Sequence, residues 1–153
     1  MRIYVKYLFI VIFGLTSCSE SLDPEKQFYE GEYSNAFSLW QPLAKQGNLE
    51  ASNYLGIHYY MGLGVKRDFR KAAYWFRLAA EQGHADAQYN LGLMYENGQY
   101  VKQDFTEAYI WLFAAYKQGN THSEKHMQRL AREHKLLPNQ IQHAQKLALK
   151  YIK

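Results

Sequence analysis

The chain has 153 residues, of which 48% are hydrophobic, 16% are aromatic and 21% are charged, and its formal net charge is +4. This length fits one domain and excludes a large multidomain enzyme. Because disordered chains have few aromatic residues and a strong charge imbalance, the composition predicts a folded protein. Cys18 is the one cysteine, so the chain cannot form an internal disulfide.

The N-terminus has the three regions of a secretory signal peptide. Arg2 and Lys6 supply positive charge, an uncharged apolar run covers residues 7–15, and small residues lead to Cys18. Since a membrane-spanning helix needs about 20 apolar residues, this run is too short to remain as an anchor. We therefore predict a signal peptide over residues 1–17.

Residues 15–18, Leu-Thr-Ser-Cys, resemble the lipobox of bacterial lipoproteins. The resemblance implies cleavage before Cys18, a lipid on its sulfur and an acyl chain such as palmitate on its new amino group. Two or more acyl chains anchor a protein stably, and residues 18–23 would form a tether. Ser19 replaces the Asp that retains lipoproteins in the inner membrane, which favours the outer membrane, facing the periplasm. A plain signal peptide with an incidental cysteine is the alternative.

A shift of 36 residues superposes residues 51–83 on residues 87–119, which predicts a tandem repeat. Apolar positions recur every three or four residues in two stretches of each unit, so each unit is predicted to be a pair of helices. A partial unit, residues 24–48, precedes them. The identical pairs are Ala51/Ala87, Leu55/Leu91, Gly56/Gly92, Tyr59/Tyr95, Gly62/Gly98, Val65/Val101, Lys66/Lys102, Asp68/Asp104, Phe69/Phe105, Ala72/Ala108, Trp75/Trp111, Ala79/Ala115, Gln82/Gln118 and Gly83/Gly119.

Glycine and aspartate mark the ends of the predicted helices. Gly62 and Gly98 close the first helix of each unit, where a left-handed residue is favoured. Asp68 and Asp104 are predicted to cap the second helix, and Glu107 follows Asp104 by three residues, as in a capping box. The repetition of the two aspartates favours a structural role over a catalytic pair.

Gly56 and Gly92 fall inside the first helices, where glycine costs about 1 kcal/mol relative to alanine. A cost that is repeated in both units indicates a close approach between helices. We expect Trp75 and Trp111 to fill the space beside these glycines, so all four residues are predicted to be structural.

The pattern Ala-x-x-x-Leu-Gly-x-x-Tyr-x-x-Gly, followed by Val-x-x-Asp-(Phe/Tyr)-x-x-Ala-x-x-Trp, resembles the Sel1-like repeat, a unit of the tetratricopeptide class. The resemblance implies an all-α fold, a right-handed solenoid of αα-hairpins. It places repeats at residues 49–84 and 85–120, with a degenerate repeat and a capping helix in residues 121–153. Tyr100 departs from the glycine that the family usually has there, as at Gly64, which strains the loop or exposes an aromatic ring.

The sequence has no glycine-rich phosphate loop, no Gly-x-Ser-x-Gly motif and no cysteine free to pair with a histidine. We therefore predict a protein without enzymatic activity or a cofactor. His122 and His126 can share a helix face, but a zinc site would need a third ligand, and no spacing requires His134 to supply it. A solvated surface is favoured over a metal site. His58 is expected to be packed or to lie at a groove rim.

A solenoid offers a groove lined by its first helices. By analogy with tetratricopeptide repeats, residues beside the Leu-Gly-x-x-Tyr core face this groove, and their mixture of apolar, aromatic and polar groups suits a protein interface. Ile57 and Leu93 have the alternative of packing against a neighbouring helix. The predicted partner contacts are Asn53, Ile57, Tyr60, Met61, Tyr89, Leu93, Glu96 and Asn97, then Lys125, Arg129 and Arg132 in the third unit, together with Tyr100.

Residues 121–153 carry seven bases and two acids, whereas residues 18–120 carry nine bases and twelve acids. This basic end is either a solvated face or a contact for an acidic partner or for anionic lipid. Nucleic acid is disfavoured as a partner, because we expect export and because this charge is modest.

The sequence therefore predicts a lipid-anchored, monomeric protein of the bacterial envelope that holds a partner protein in its groove as an adaptor or regulator. One alternative is an immunity protein that neutralises a toxin or lipase effector. Another is an envelope protein that binds or processes peptidoglycan.

Overall fold

The computed structural model describes residues 23–134 and 136–153, so the predicted signal peptide, Cys18 and most of the predicted tether lie outside the described residues. Within this part the chain forms eight α-helices and a terminal 3-10 turn, with no strand. The helices are α1 (Pro24–Tyr29), α2 (Tyr33–Lys45), α3 (Leu49–Met61), α4 (Phe69–Ala80), α5 (Ala85–Asn97), α6 (Phe105–Lys117), α7 (His122–Glu133) and α8 (Pro138–Ala148), and the turn is Leu149–Tyr151.

From α1 to α7 each helix packs mainly against its neighbours along the chain, whereas α8 packs against α6. The buried apolar side chains form three clusters along this stack, one on α2 and α3, one centred on α4 and α5, and one on α6, α7 and α8. This layout confirms the predicted all-α repeat solenoid, in which α3–α4 and α5–α6 are the two matching hairpins. None of the described helices is both long and apolar enough to cross a membrane.

The loops inside the two hairpins begin and end with the same kinds of residue. Gly62 and Gly98 end α3 and α5 with φ of +77° and +65°, the left-handed conformation that glycine adopts without a steric penalty. Asp68 and Asp104 each accept hydrogen bonds from main-chain N–H groups in the first turn of the helix that follows. Both predicted N-caps are therefore confirmed.

The capping box expected at α6 is not formed. Glu107 would have to accept a hydrogen bond from the main-chain N–H of Asp104. That N–H instead donates to the main-chain oxygen of Tyr95 at 3.1 Å, and the N–H of Asp68 donates in the same way to Tyr59 at 2.8 Å. These repeated bonds join the start of the second helix to the first helix and use the donor that the glutamate would have taken.

Gly56 and Gly92 lie where the two helices of each hairpin meet. A Cβ atom on Gly56 would overlap the ring of Phe76 in α4, and one on Gly92 would lie 2.9 Å from Cγ of Leu112 in α6. The predicted close approach is therefore confirmed. The residues that fill the space are Phe76 and Leu112, one position after the predicted tryptophans.

The two tryptophans pack elsewhere, which corrects the prediction. Trp75 is half-buried against the apolar cluster of α2 and α3. Trp111 is buried, and its ring stacks on Tyr151 with the ring centroids 4.2 Å apart. One step along an α-helix turns a side chain by about 100°, so the tryptophans face the neighbouring elements while the following residue faces the glycine.

The C-terminal turn is tied back to the second repeat by Gln88, whose side chain is fully buried. Its Nε2 donates to the main-chain oxygens of Ala80 at 3.0 Å and Tyr151 at 2.8 Å. Its Oε1 accepts from Nε2 of Gln118 at 2.7 Å. The amide thus joins the ends of α4 and α6 to the C-terminal turn and leaves neither of its polar atoms unpaired.

Gly56→Ala is expected to destabilise the fold although alanine is the better helix former. The gain in helix propensity is about 1 kcal/mol, whereas overpacking of a filled interior costs about 1–3 kcal/mol. Because the new methyl group would collide with Phe76, we expect the free energy of unfolding, measured by urea denaturation, to fall rather than rise.

The matched control is the same substitution in a Phe76→Leu background, where a smaller side chain faces the glycine. There the added methyl group should cost less, with a coupling free energy between the two positions of at least about 0.5 kcal/mol. An equal effect of Gly56→Ala in both backgrounds would contradict the packing described for this hairpin.

Candidate functional site

The first helices of the two repeats form one side of the array. α3 contacts α5, and side chains of α5 reach α7 through hydrogen bonds. A cavity of about 250 Å³ opens between α3 and α5, and its walls are mainly apolar. We call it the groove cavity; its lining is Ile57, Tyr60, Met61, Phe76, Asn90 and Leu93.

Four of the predicted contact residues line the groove cavity: Ile57, Tyr60, Met61 and Leu93. The Tyr60 hydroxyl donates a hydrogen bond of 2.7 Å to Oε1 of Gln99, which fixes the ring. Ile57 also packs against the apolar clusters on both sides, so it serves the helix packing as well as the cavity wall. Met61 is 62% exposed, so much of its side chain is accessible.

Asn53 is buried, which corrects the prediction that it contacts a partner. Its Oδ1 accepts a hydrogen bond of 3.0 Å from Nδ2 of Asn90. This bond joins α3 to α5, so the Asn53 amide is used to hold two repeats together. Asn90, which was not predicted, lines the groove cavity instead.

Glu96 is also buried, and it organises a polar network between α5 and α7. One carboxylate oxygen accepts a hydrogen bond from the guanidinium of Arg129, and the other lies 3.1 Å from Nδ1 of His126. A buried carboxylate is costly unless it is paired, so Arg129 stabilises it in place. The prediction that Glu96 contacts a partner is corrected, because its carboxylate makes an internal link.

Tyr89 completes this network on the opposite side of the histidine ring. Its hydroxyl lies 3.3 Å from Nε2 of His126. Burial raises the pKa of the Tyr89 hydroxyl, the charge of Glu96 raises it further, and the charge of Arg129 opposes the rise. Tyr89 therefore keeps its proton at neutral pH, and its hydroxyl can donate to Nε2 in the His126 tautomer whose Nδ1–H donates to Glu96.

A second cavity, of about 290 Å³, adjoins the network and is lined by Lys125, His126 and Arg129. Lys125 and Arg132 are exposed on α7, whereas Arg129 is half-exposed because its guanidinium also binds Glu96. The accessible positive charge beside the groove therefore comes from Lys125 and the outer part of Arg129. The predicted contact of Arg132 with a partner stays a prediction.

The histidines of α7 do not form a cluster with enough ligands for a metal. In the described ranges no three histidine, cysteine, aspartate or glutamate side chains lie close enough to hold one. His122 and His126 both lie beside the ring of Tyr89, with centroids 6.2 and 5.6 Å away. His134 stacks instead on Phe105, with centroids 3.6 Å apart.

His58 is fully buried in the first repeat. Its Nδ1 donates to the main-chain oxygen of Leu63 at 2.7 Å, which supports the loop after α3. The rings of Phe28, Tyr33 and Phe37 meet it edge-on. Burial lowers the pKa of His58, so the imidazole is neutral at neutral pH. The residue is packed, which is one of the two positions expected for it.

Tyr100 lies beside α4 and not in the groove cavity. Its φ is +64°, in the left-handed region that favours glycine, and its side chain is 60% exposed. Both consequences expected from the loss of glycine are therefore present, the backbone strain and the exposed ring.

Sequence reasoning missed Phe76 as part of the groove cavity. Phe76 belongs to the second helix of its hairpin, which the analogy with tetratricopeptide repeats keeps away from the groove. Its ring packs against Gly56, whose missing side chain leaves the room. The glycine was therefore the available signal, because a bare helix position opens a path for a ring on the facing helix.

Comparison with protein families gives a match to the Sel1 repeat at residues 49–84 and 85–120. A solved protective antigen of uropathogenic Escherichia coli strains, which has an SLR fold, is 32% identical with a TM-score of 0.76, over 84% of this chain and 28% of that chain. A solved Sel1 repeat protein from Oxalobacter formigenes is 31% identical with a TM-score of 0.69, over 85% of this chain and 55% of that chain.

A curated relative matches a shorter segment. An ERAD-associated E3 ubiquitin-protein ligase component of Arabidopsis thaliana is 42% identical over 50 residues, which is 32% of this chain and 8% of that protein. The aligned part therefore covers between 8% and 55% of the length of these three proteins.

Arg129→Ala is expected to lower the free energy of unfolding by about 1–3 kcal/mol, because it leaves the buried Glu96 carboxylate without its charged donor. Lys125→Ala removes the same charge from an exposed position on the same helix and should change stability by less than about 0.5 kcal/mol. Urea denaturation at pH 7 measures both. Equal effects of the two substitutions would show that the ion pair with Glu96 does not hold α7 against α5.

Proposed function

We propose that this chain, whose residues 49–84 and 85–120 are Sel1 repeats, is a membrane-anchored adaptor or regulatory protein of the bacterial envelope that binds a partner protein in its groove. Sel1 repeat proteins are generally protein–protein interaction modules. The observation that carries the proposal for this chain is the groove cavity, a mainly apolar space of about 250 Å³ between α3 and α5. Its role is binding and not catalysis.

The chemistry of the groove cavity suits an apolar side chain of a partner segment. Ile57, Phe76 and Leu93 supply apolar walls, and the flexible thioether of Met61 can adapt to different shapes. Full burial of a leucine-sized side chain contributes roughly 1.5–3 kcal/mol. That is the size of contribution that a central anchor residue makes at a protein interface.

Polar groups border this apolar centre, as at other protein interfaces. Asn90 lies at the cavity wall, and His126 and Arg129, both held by the buried Glu96, follow on α7. Because internal hydrogen bonds already position these groups, binding requires little further ordering. Lys125 then offers an exposed cation for a partner carboxylate.

We further propose that Cys18 carries the lipid and holds the repeats at the outer membrane, facing the periplasm. The basic start, the apolar run of residues 7–15 and the Leu-Thr-Ser-Cys segment support this proposal. A tether over residues 18–23 reaches about 20 Å when extended, which keeps α1 near the membrane surface. Both solved relatives are bacterial proteins, which supports a bacterial setting.

A photocrosslinking amino acid at Tyr60 is expected to capture one dominant protein in intact cells, since this position lines the groove cavity. The same amino acid at Tyr116, which is exposed on α6 and outside the cavity, is the matched control and should capture little. Leu93→Asp should reduce capture from Tyr60 at least about tenfold, because burial of an unpaired charge costs more than 1.4 kcal/mol.

The proposed groove would be wrong if capture from Tyr60 and Tyr116 were equal, or if Leu93→Asp left the yield unchanged while the variant melts like the parent chain. Identification of the captured protein as a toxin or lipase would establish the immunity role instead of the adaptor role. Binding to purified sacculi without any captured protein would favour peptidoglycan.

Lipidation is tested by metabolic labelling with an alkyne-bearing fatty acid. The parent chain and the control Ser19→Ala should take up the label and sediment with membranes. Cys18→Ala should lose the label completely, because no other thiol exists in the chain. Label that persists in Cys18→Ala would contradict the lipoprotein assignment.

A further inference from the structure

A basic surface on α4 is not explained by the groove. Residues 66–77 carry five bases and one acid, whereas the equivalent residues 102–113 of the second repeat carry one base and two acids. Both stretches occupy the same place in a hairpin, so the fold of the hairpin does not require the bases. The bases are specific to the first repeat, where Arg67, Lys71 and Arg77 also lie over the rings of Phe69, Tyr59 and Tyr95.

The two repeats also differ in what covers this face. Tyr74 is 61% exposed on α4, whereas its counterpart Ile110 on α6 is buried in the cluster that α6 forms with α7 and α8. The outer face of α4 therefore stays open. The other differing positions along this face include Arg67/Gln103, Arg70/Thr106, Lys71/Glu107 and Arg77/Phe113.

This open face forms a shallow cavity of about 550 Å³ with the loop after α5. We call it the basic cavity. Its lining combines three bases and two tyrosines with one alanine and contains no acid: Arg70, Lys71, Ala73, Tyr74, Arg77 and Tyr100.

The positive charge of the basic cavity is largely uncompensated. Across residues 23–134 and 136–153, no carboxylate oxygen lies within 4.0 Å of the guanidinium of Arg70 or Arg77. Arg77 donates one hydrogen bond, of 2.9 Å, to the Tyr95 hydroxyl and retains further donors. Lys71 lies 4.0 Å from Asp68, but both side chains are well exposed, so this pair is weak.

The backbone of Tyr100 provides an independent indication. Its counterpart Gly64 has φ of +67°, close to the +64° of Tyr100, so the loop requires the left-handed conformation in both repeats. A non-glycine residue held there costs on the order of 1–3 kcal/mol, and such strain is concentrated at functional sites. Glycine would occupy this position without strain. The strained Tyr100 therefore indicates that its exposed side chain has a function at the edge of the basic cavity.

We propose that the basic cavity binds an acidic segment of a partner protein, at a site separate from the groove. The guanidinium groups of Arg70 and Arg77 are planar forks that bind carboxylates through paired hydrogen bonds. Tyr74 and Tyr100 add ring surface and hydroxyl groups. Arginine and tyrosine are the residue types enriched at the energetic centres of protein interfaces.

The distance between the two arginines matches the repeat length of an extended peptide. They are seven residues apart on α4, which corresponds to about 10 Å along the helix axis. In a polyproline II chain, residues three apart lie on the same face and are separated by about 9 Å. The ligand expected is therefore a segment in which carboxylates recur every third residue.

The test is fluorescence anisotropy with the full chain in a non-ionic detergent at low salt. The probe is a labelled peptide of four Glu-Pro-Pro repeats, and its neutral twin has four Gln-Pro-Pro repeats. We expect the acidic probe to bind at least tenfold more tightly than the neutral twin. Arg70→Thr, which installs the residue of the second repeat, and Arg77→Gln should each weaken binding at least fivefold.

Tyr100→Gly tests whether binding is lost while the stability of the fold is kept. Glycine relieves the left-handed strain, so the thermal midpoint should stay the same or rise, while affinity for the acidic probe falls at least threefold. Arg132→Gln and Lys146→Gln remove the same charge from the C-terminal end of the chain and should keep affinity within twofold. Leu93→Asp in the groove cavity should also keep it, so a failure of the groove proposal leaves this site testable.

The proposal is overturned if the acidic probe shows no binding at millimolar concentration, or if its neutral twin binds equally well. Equal losses from Arg70→Thr and Arg132→Gln would show an effect of net charge and no specific site. Binding of phosphatidylglycerol vesicles that Arg70→Thr abolishes, without binding of the acidic probe, would assign this face to the membrane surface instead.

Discussion

The close approach of two helices inside each hairpin is the constraint on which the structure depends. It exists because Gly56 and Gly92 carry no side chain, so that Phe76 and Leu112 can occupy the space where a Cβ would be. Glycine at a helix interior is unfavourable by about 1 kcal/mol. The burial of a large apolar side chain contributes roughly 1.5–3 kcal/mol, which outweighs that penalty.

A fixed hairpin leaves the remaining positions free to differ between repeats, and the differences lie both in the contact between the repeats and on the outer surface. On the groove side, Asn53 and Asn90 occupy different registers and bond to each other across the two repeats. On the outer side of α4, Arg70 and Arg77 stand where the second repeat has threonine and phenylalanine. The common positions maintain the array, and the positions that differ give each surface its chemistry.

The 36-residue spacing was sufficient to predict the hairpins, the aspartate caps and the glycine contacts, because these depend on local periodicity and turn geometry. It could not predict whether Trp75 or Phe76 faces Gly56, since one residue corresponds to a rotation of about 100° that depends on how α4 is set against α3. The analogy with tetratricopeptide repeats also placed Glu96 in an accessible groove. That residue is buried because Arg129 reaches it from α7, and this contact depends on the stacking offset between units.

The two proposed binding surfaces share α4 but use different sides of it. Phe76 is 2% exposed and lines the groove cavity, whereas Tyr74, two residues earlier, is 61% exposed beside the basic cavity. Allosteric coupling between two sites requires an element with two arrangements that both ligands bias. α4 is held by its N-cap at Asp68 and by the contact of Phe76 with Gly56, and both contacts oppose a second arrangement. If α4 keeps this arrangement when either partner binds, an apolar partner and an acidic partner bind additively, as the proposed adaptor role requires.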